Sequence, residues 1–218
     1  DLGTVVSASH NPPEYNGIKL FDGGGQKLTD DAEEEIEALL DEPARAERGA
    51  IDRIGVAADS YTEHVLDRFG SPLGGLKIAV DCANGAYSGI APFAFERLGA
   101  QVVSLADKPD GKNINVGCGA TDLRLLQEQV VQGGADLGVA FDGDGDRAIF
   151  VDHRGRIVNG DAVLLMCAEQ LKREGRLNGG AIVATVMSNI GLELALQSRG
   201  IDLVRCAVGD KYVMEEML

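Results

Sequence analysis

Asp136-Leu-Gly-Val-Ala-Phe141-Asp142-Gly-Asp144-Gly-Asp146-Arg147-Ala-Ile-Phe-Val151 is the stretch that decides the fold. Residues 136–141 and 148–151 are short apolar runs of the length a buried strand needs, and the glycine-broken segment between them can continue neither. Outward from this pair, similar runs recur at 3–7, 18–21, 76–80, 101–105, 181–186 and 201–206. Helical periodicity fills the gaps. Asp30 with Glu33 reads as a capping box ahead of an apolar face of Ala32, Ile36, Leu39 and Leu40. Ser60 with Glu63 reads as the start of a second helix, with the face Tyr61, Val65, Leu66 and Phe69. A third spans about 89–98 and stops at Gly99, a residue at ease in the left-handed conformation past a helix end. Thr121 reads as the cap of a fourth, which turns Leu123, Leu126 and Val130 inward; two more fit 161–172 and, capped by Ser188, 189–198. Strand, helix and strand with glycine-rich joints make an α/β fold: consecutive domains with mixed, largely parallel sheets.

Two breaks divide the pattern. The polar, irregular stretch 41–59 reads as a linker, and 152–155 as a tight turn after which a new strand–helix series begins. The expected segments are therefore 1–55, 56–152 and 153–218: an N-terminal remnant, a whole α/β domain and an unfinished one. The chain opens at Asp1 without a Met and ends at Leu218 inside a helix-like stretch, so it reads as a section of something longer.

Composition narrows the function. With 218 residues and 44% apolar content the chain can bury a sizeable core. Twenty Lys and Arg face 35 Asp and Glu, and the net charge of −15 repels nucleic acid and anionic lipid. A local cationic site for a phosphorylated metabolite remains compatible with that field. The 29 glycines show no triplet period, so they serve turns and loops and not a collagen helix. The longest clear apolar run, 163–168, falls well short of the roughly 18 residues of a membrane span. Cys82, Cys118, Cys167 and Cys206 form no CxxC pair, which argues against zinc and thioredoxin-like chemistry and for a reduced, cytoplasmic setting. Nothing reads as a signal peptide.

Two stretches carry chemistry. Asp142, Asp144 and Asp146 alternate with glycines directly after a strand, so their oxygens can converge on one point. Without a cation that arrangement repels itself, and all-oxygen ligands favour Mg²⁺, Ca²⁺ or Mn²⁺ over zinc. An EF-hand fails the count, because Arg147 stands where the glycine belongs and His153 where the bidentate Glu belongs. An aspartyl-phosphate phosphatase start fits worse, since Asp146 replaces its Thr or Val. The second stretch is Ser7-Ala-Ser9-His10-Asn11-Pro12-Pro13-Glu14-Tyr15-Asn16-Gly17-Ile18-Lys19, a loop between two strands crowded with Ser, His, Asn and Lys. Ser beside His is on its own a weak sign of an activated nucleophile.

Together these stretches resemble one family, the α-D-phosphohexomutases, which carries a Ser-His-Asn-Pro loop ending in Asn-Gly-x-Lys and later an Asp-Gly-Asp-Gly-Asp-Arg loop. Softer matches look like the bacterial branch acting on glucosamine phosphates: Ser7-Ala-Ser9-His10, Asp81-Cys-Ala-Asn-Gly-Ala86, Asn113-Ile-Asn115 with Cys118-Gly-Ala-Thr121, Thr185-Val-Met-Ser-Asn189 with Gly191-Leu-Glu193, and Val208-Gly-Asp-Lys-Tyr-Val213. The resemblance implies an isomerase that interconverts glucosamine 6-phosphate and glucosamine 1-phosphate, feeding UDP-N-acetylglucosamine and cell-wall synthesis. Ser9 would be its phosphoserine. Asp142, Asp144 and Asp146, with a phosphate oxygen on Ser9, would hold one Mg²⁺, and glucosamine 1,6-bisphosphate would be activator and intermediate. The three segments would be the end of domain 1, domain 2 and the start of domain 3.

Physics adds roles beside the resemblance. Phosphoryl transfer needs positioning and charge neutralisation. Arg147 can aim its guanidinium at phosphate oxygens, with a surface ion pair as the rival reading. Lys19 is favoured for general acid/base work and His10 for orienting the loop. Lys211 faces either substrate or solvent. Asn84-Gly85 reads as a strand-to-helix turn, with phosphate contact as the rival reading, and His64 and His153 as solvent-facing. The resemblance further implies that the family's sugar-selecting Gly-Glu-x-Ser-Gly loop and its phosphate-clamping Arg-x-Ser-Gly-Thr loop are absent, so the 218 residues alone are expected to turn over poorly. Two rivals remain: a phosphoglucomutase or phosphomannomutase, and a non-catalytic module that binds metal and phosphosugar.

Overall fold

A computed structural model describes residues 2–43, 50, 52 and 57–218. It falls into two compact units, Asp1–Arg156 and Ile157–Leu218. The expected linker at 41–59 and the expected boundary at 55 lie largely outside the described residues.

The first unit opens with an antiparallel pair, β1 (Gly3–Ser7) and β2 (Gly17–Phe21), in which Ser7 faces Gly17 and Gly3 faces Phe21. That register leaves residues 8–16 as the connecting loop. Helices α1 (Asp30–Glu37) and α2 (Ala57–Phe69) follow. A sheet then builds from β3 (Lys77–Asp81), β4 (Gln101–Leu105), β5 (Leu137–Phe141) and β6 (Ala148–Asp152), in the order β4-β3-β5-β6. β3 is parallel to β4 and to β5, whereas β6 returns antiparallel along β5, so the sheet is mixed. Helices α3 (Ile90–Arg97) and α4 (Arg124–Gly133) supply the crossovers.

Strand alternation divides the core. Ile78, Val80 and Val139 meet Ala91 of α3 on one face, while Ala79, Ala140 and Val151 meet Leu126 and Val130 of α4 on the other. Burying a side chain such as Leu126 or Val130 contributes about 1.5–3 kcal/mol, which is what holds α4 to the sheet. β5, covered on both faces, ends at Phe141 and delivers the next residue, Asp142, into a fixed position.

The second unit begins with the short β7 (Ile157–Val158) and α5 (Gly160–Arg173). Parallel strands β8 (Ala181–Thr185) and β9 (Asp202–Cys206) follow, with α6 (Ile190–Gln197) between them and α7 (Asp210–Met217) after. Its core is Ala168, Ala184, Leu192, Leu196 and Ile201.

Several helix starts differ from expectation. Thr29, in extended backbone, caps α1 through Oγ1 on the Ala32 N–H, so Asp30 is already helical. Leu39 and Leu40 lie past the end of that helix and are exposed. α2 already runs at Ala57, which puts Ser60 inside it. Thr121 does not cap α4; the helix starts after Leu123 without a side-chain cap, and Asp122 takes the Arg124 N–H instead. Asn189 displaces Ser188 as the cap of α6, accepting from the Gly191 N–H at 2.7 Å. At α1, α4 and α6 a short polar side chain adjacent to the expected one has the geometry to reach an unpaired amide. Among the described residues, no helix is long and apolar enough to cross a membrane.

Candidate active site

Asp142, Asp144 and Asp146 form one cluster, each offering a carboxylate oxygen within 4.8 Å of the others. Asp142 is fully buried; one of its oxygens accepts the Gly145 and Arg147 N–H groups, both at 3.1 Å. Burial pushes its carboxyl above the ordinary range against the pull of the Arg147 N–H, and its two acidic neighbours push the same way. Two unit charges at that spacing repel by roughly 3–4 kcal/mol at an effective dielectric near 20.

The serine loop packs onto this cluster. Ser9 Oγ donates to Asp142 Oδ2 at 3.4 Å and lies 3.4 Å from His10 Nδ1. Lys19 Nζ, from β2, donates to Asp144 Oδ2 at 2.7 Å. Burial pushes Asp144 upward, but the Lys19 hydrogen bond and charge, together with hydrogen bonds from Ser9 and Asp142, hold the carboxyl below the usual range. The Asp144 hydrogen bond in turn raises Lys19 against a smaller opposing effect of burial.

Backbone geometry binds the two loops together. The Gly143 N–H donates to the Ser9 carbonyl at 2.9 Å, and the Gly143 carbonyl accepts from the Ala86 N–H at 2.8 Å. A Cβ at Gly143 would stand 2.4 Å from the Ser9 carbonyl oxygen, and one at Gly85 would stand 2.3 Å from the Gly143 carbonyl oxygen, so both positions require glycine. Tyr87 supports the loop from another side. Its ring meets Phe141 edge-on at 4.9 Å, its hydroxyl pairs with that of Tyr61 at 2.7 Å, and a Cβ at Gly145 would lie 2.3 Å from the ring.

Strain gathers here. Ser9, Ala83, Asn84 and Asn115 all have positive φ, between 49° and 59°. Each such non-glycine residue costs about 1–2 kcal/mol, so surrounding contacts must hold it. Asp81, fully buried at the end of β3, accepts the Ala83 N–H at 2.9 Å and the Gly119 N–H at 2.8 Å. Burial raises its carboxyl, and those two donors oppose the shift.

The residues present fit a divalent cation. The donor set is three carboxylates, and the buried Asp144 Oδ1 has no hydrogen-bond partner among the described residues. Lys19 offsets only part of the charge.

Of the residues singled out from sequence, the structure gathers Ser9, His10, Lys19, Asp142, Asp144 and Asp146. Arg147 contributes its backbone N–H to Asp142; its side chain is exposed, with Nε 4.0 Å from Asp146 Oδ1. Lys211, in the first turn of α7, is exposed and lies over the Tyr212 ring. His64 and His153 are exposed. Sequence reasoning gave Asp81 and Tyr87 no role and took Asn84-Gly85 as an ordinary turn. Neighbouring asparagine and glycine was the available signal, since both residue types suit the left-handed backbone that close loops need.

Three family models match the chain: Phosphoglucomutase/phosphomannomutase alpha/beta/alpha domain I over residues 1–47, domain II over 59–155 and domain III over 159–218. A phosphoglucosamine mutase of Symbiobacterium thermophilum is 49% identical over 225 residues, covering all of this chain and 50% of that protein. The chain thus spans about half the length of the relatives it matches. A phosphoglucomutase/phosphomannomutase family protein of Burkholderia thailandensis superposes with a TM-score of 0.76 at 28% identity, over 100% of this chain and 47% of that one. The fold is shared with an N-acetylphosphoglucosamine mutase of Aspergillus fumigatus in complex with glucose 1,6-bisphosphate, at TM-score 0.68 and 19% identity, over 99% of this chain and 57% of that one.

Proposed function

This chain belongs to the phosphohexomutase family, and from that premise we infer that it carries the phosphoserine and metal loops of a phosphoglucosamine mutase. The reaction is the interconversion of glucosamine 6-phosphate and glucosamine 1-phosphate through phosphorylated Ser9 and glucosamine 1,6-bisphosphate. The single observation that carries this reading is the Ser9 hydroxyl 3.4 Å from Asp142, inside a three-carboxylate loop that fits a cation. The segments 1–55, 56–152 and 153–218 then correspond to the end of domain 1, domain 2 and the start of domain 3. The four cysteines are free thiols, which supports a cytoplasmic setting.

Asp142, Asp144 and Asp146 would hold Mg²⁺, which when bound would neutralise charge on the transferring phosphate and make the serine oxygen a better leaving group. The chain's own groups do the rest. When phosphoserine gives up its phosphoryl group, a sugar hydroxyl attacks phosphorus and loses its proton to a nearby base, while Ser9 Oγ leaves as the P–O bond breaks. His10, within reach of Ser9 Oγ, is placed to take or return such a proton. Lys19 is held as an ammonium by Asp144, so it gives a proton or balances phosphate charge, and accepts one only after leaving that carboxylate.

The test is intact mass after incubation with glucosamine 1,6-bisphosphate. The unaltered protein takes up one phosphate in Mg²⁺ and little in EDTA, and Ser9→Ala takes up none. Uptake by Ser9→Ala, or none by the unaltered protein, refutes the reading and leaves a metal-binding module. A second reading, phosphoglucomutase/phosphomannomutase, is favoured by the names of the three family models. Relative rates on glucosamine, glucose and mannose phosphates decide between them.

A further inference from the structure

Ser9 sits in left-handed backbone, at φ 50°, a conformation serine does not choose. Something must hold it there, and its own hydroxyl does not, since Oγ is turned to Asp142. Two donors converge on its carbonyl instead. One is the Gly143 N–H, at 2.9 Å. The other is Asn115 Nδ2, at 2.7 Å, whose second N–H reaches the Asn11 carbonyl at 2.9 Å. One carboxamide therefore spans the serine loop from residue 9 to residue 11.

Asn115 is itself built for this. Its backbone lies at φ 59°, which Asn tolerates better than most residues. Its N–H donates to the Ala83 carbonyl at 2.9 Å. Ala83 is tied in turn to the buried Asp81, which also holds the Gly119 N–H beyond Asn115. The loop that presents the carboxamide is thus anchored on the sheet core at both ends. Asn115 Oδ1 is buried without a partner among the described residues, so the amide accepts an unmet acceptor to aim both donors at the serine loop.

We propose that Asn115 is a positioning residue for phosphoryl transfer: its carboxamide clamps the Ser9 and Asn11 carbonyls and holds the serine in left-handed backbone, with its hydroxyl over the carboxylate loop. It touches no reacting atom and acts through Ser9. The proposal rests on the reading of Ser9 as the phosphate carrier, and it deepens that reading.

Two variants test it. Asn115→Asp keeps size and backbone tolerance but removes both donors. Asn115→Gly frees the backbone at φ 59° and likewise removes them. Single-turnover phosphorylation of Ser9 by glucosamine 1,6-bisphosphate, followed by intact mass, gives the maximal rate and the half-saturating concentration. A misplaced nucleophile costs about a hundredfold in rate, so both variants lose about that much with half-saturation unchanged. Either variant within threefold of the unaltered protein, or a loss confined to half-saturation, overturns the proposal. The three-bond HN–Hα coupling of Ser9 is measured on the same proteins. It must move away from the left-handed value in both variants, and an unchanged coupling also overturns the proposal. Should the unaltered protein take up no phosphate, the functional reading fails alone, and the coupling still decides whether Asn115 holds Ser9.

Discussion

The two loops of the site are made in opposite ways. The carboxylate loop grows from β5, a strand covered on both faces and flanked by β3 and β6, so its position is set by the core. The serine loop grows from a pair of strands with no third among the described residues, and β1 and β2 leave Val5, Val6 and Ile18 exposed. A lone two-stranded hairpin is marginal in water. Besides the Ser7 hydroxyl on its own N–H, the serine is held by polar contacts from outside its hairpin: Gly143 of the carboxylate loop and Asn115 of the loop after β4 on its carbonyl, with Lys19 tying the hairpin to Asp144. Two loops that meet at one site therefore need only one rigid member, provided the second is tied to the first.

Damage to the rigid half is expected to have the largest effect. Leu126 is fully buried between α4 and the sheet, and Leu126→Ala should lower unfolding free energy by about 2–5 kcal/mol in urea titration. If it costs under about 1 kcal/mol, the core does not set the carboxylate loop as argued. Gly143→Ala attacks the tie itself, forcing a Cβ against the Ser9 carbonyl and the Ile114 side chain, at about 1–3 kcal/mol. Amide exchange should then quicken in residues 8–16 and stay slow in β5; equal quickening in both would erase the contrast.

A smaller effect is expected from Lys19→Met, within about 1 kcal/mol because the lysine is partly exposed. The sign follows from the shifts. Lys19 is raised on folding, so its share is fully present below its unfolded value near 10.4 and disappears as pH climbs through the higher folded one. Asp144 is lowered, so its share is present above about 3.9 and disappears as pH falls through the folded value. The melting difference between Lys19→Met and the unaltered protein should be flat between those limits and shrink outside them. The smallest change belongs to Asp152→Asn, at the end of β6. The Arg156 guanidinium holds the Asp152 carboxyl down at about 2, so its contribution is present above about pH 4 and lost as pH falls toward that value. Neither loop should feel it: phosphate uptake at neutral pH stays unchanged.

How much of this was legible beforehand divides along the same line. The strand pattern around 136–151 and the alternating aspartates are local signals, and they announced both β5 and the carboxylate cluster. Ser9, His10 and Lys19 were legible as types, because a loop dense in such groups between two strands is uncommon. The meeting of Ser9 with the aspartates, 133 residues away, was legible only through the family resemblance, and the Lys19–Asp144 pair, 125 residues apart, was not foreseen. The tie was not legible at all. Asn115 and Asp81 act through backbone carbonyls and amides, and a hydrogen bond to backbone leaves no complementary side chain for the eye to pair. The caps of α1 and α6 missed by one residue for a related reason: Thr29 and Asp30, or Ser188 and Asn189, are equally able as caps, and backbone angle chooses between them.

Gly143 touches the serine loop through its nitrogen and the Ala86 turn through its carbonyl oxygen, on the two peptide units that flank its α-carbon, with no room for a side chain there or on the α-carbon of Gly85. Transplanting the serine hairpin onto another α/β scaffold therefore takes more than matching the carboxylates. The recipient must offer a bare glycine whose two flanking peptide units are unspent in any strand or helix ladder, before the graft has anything to hold.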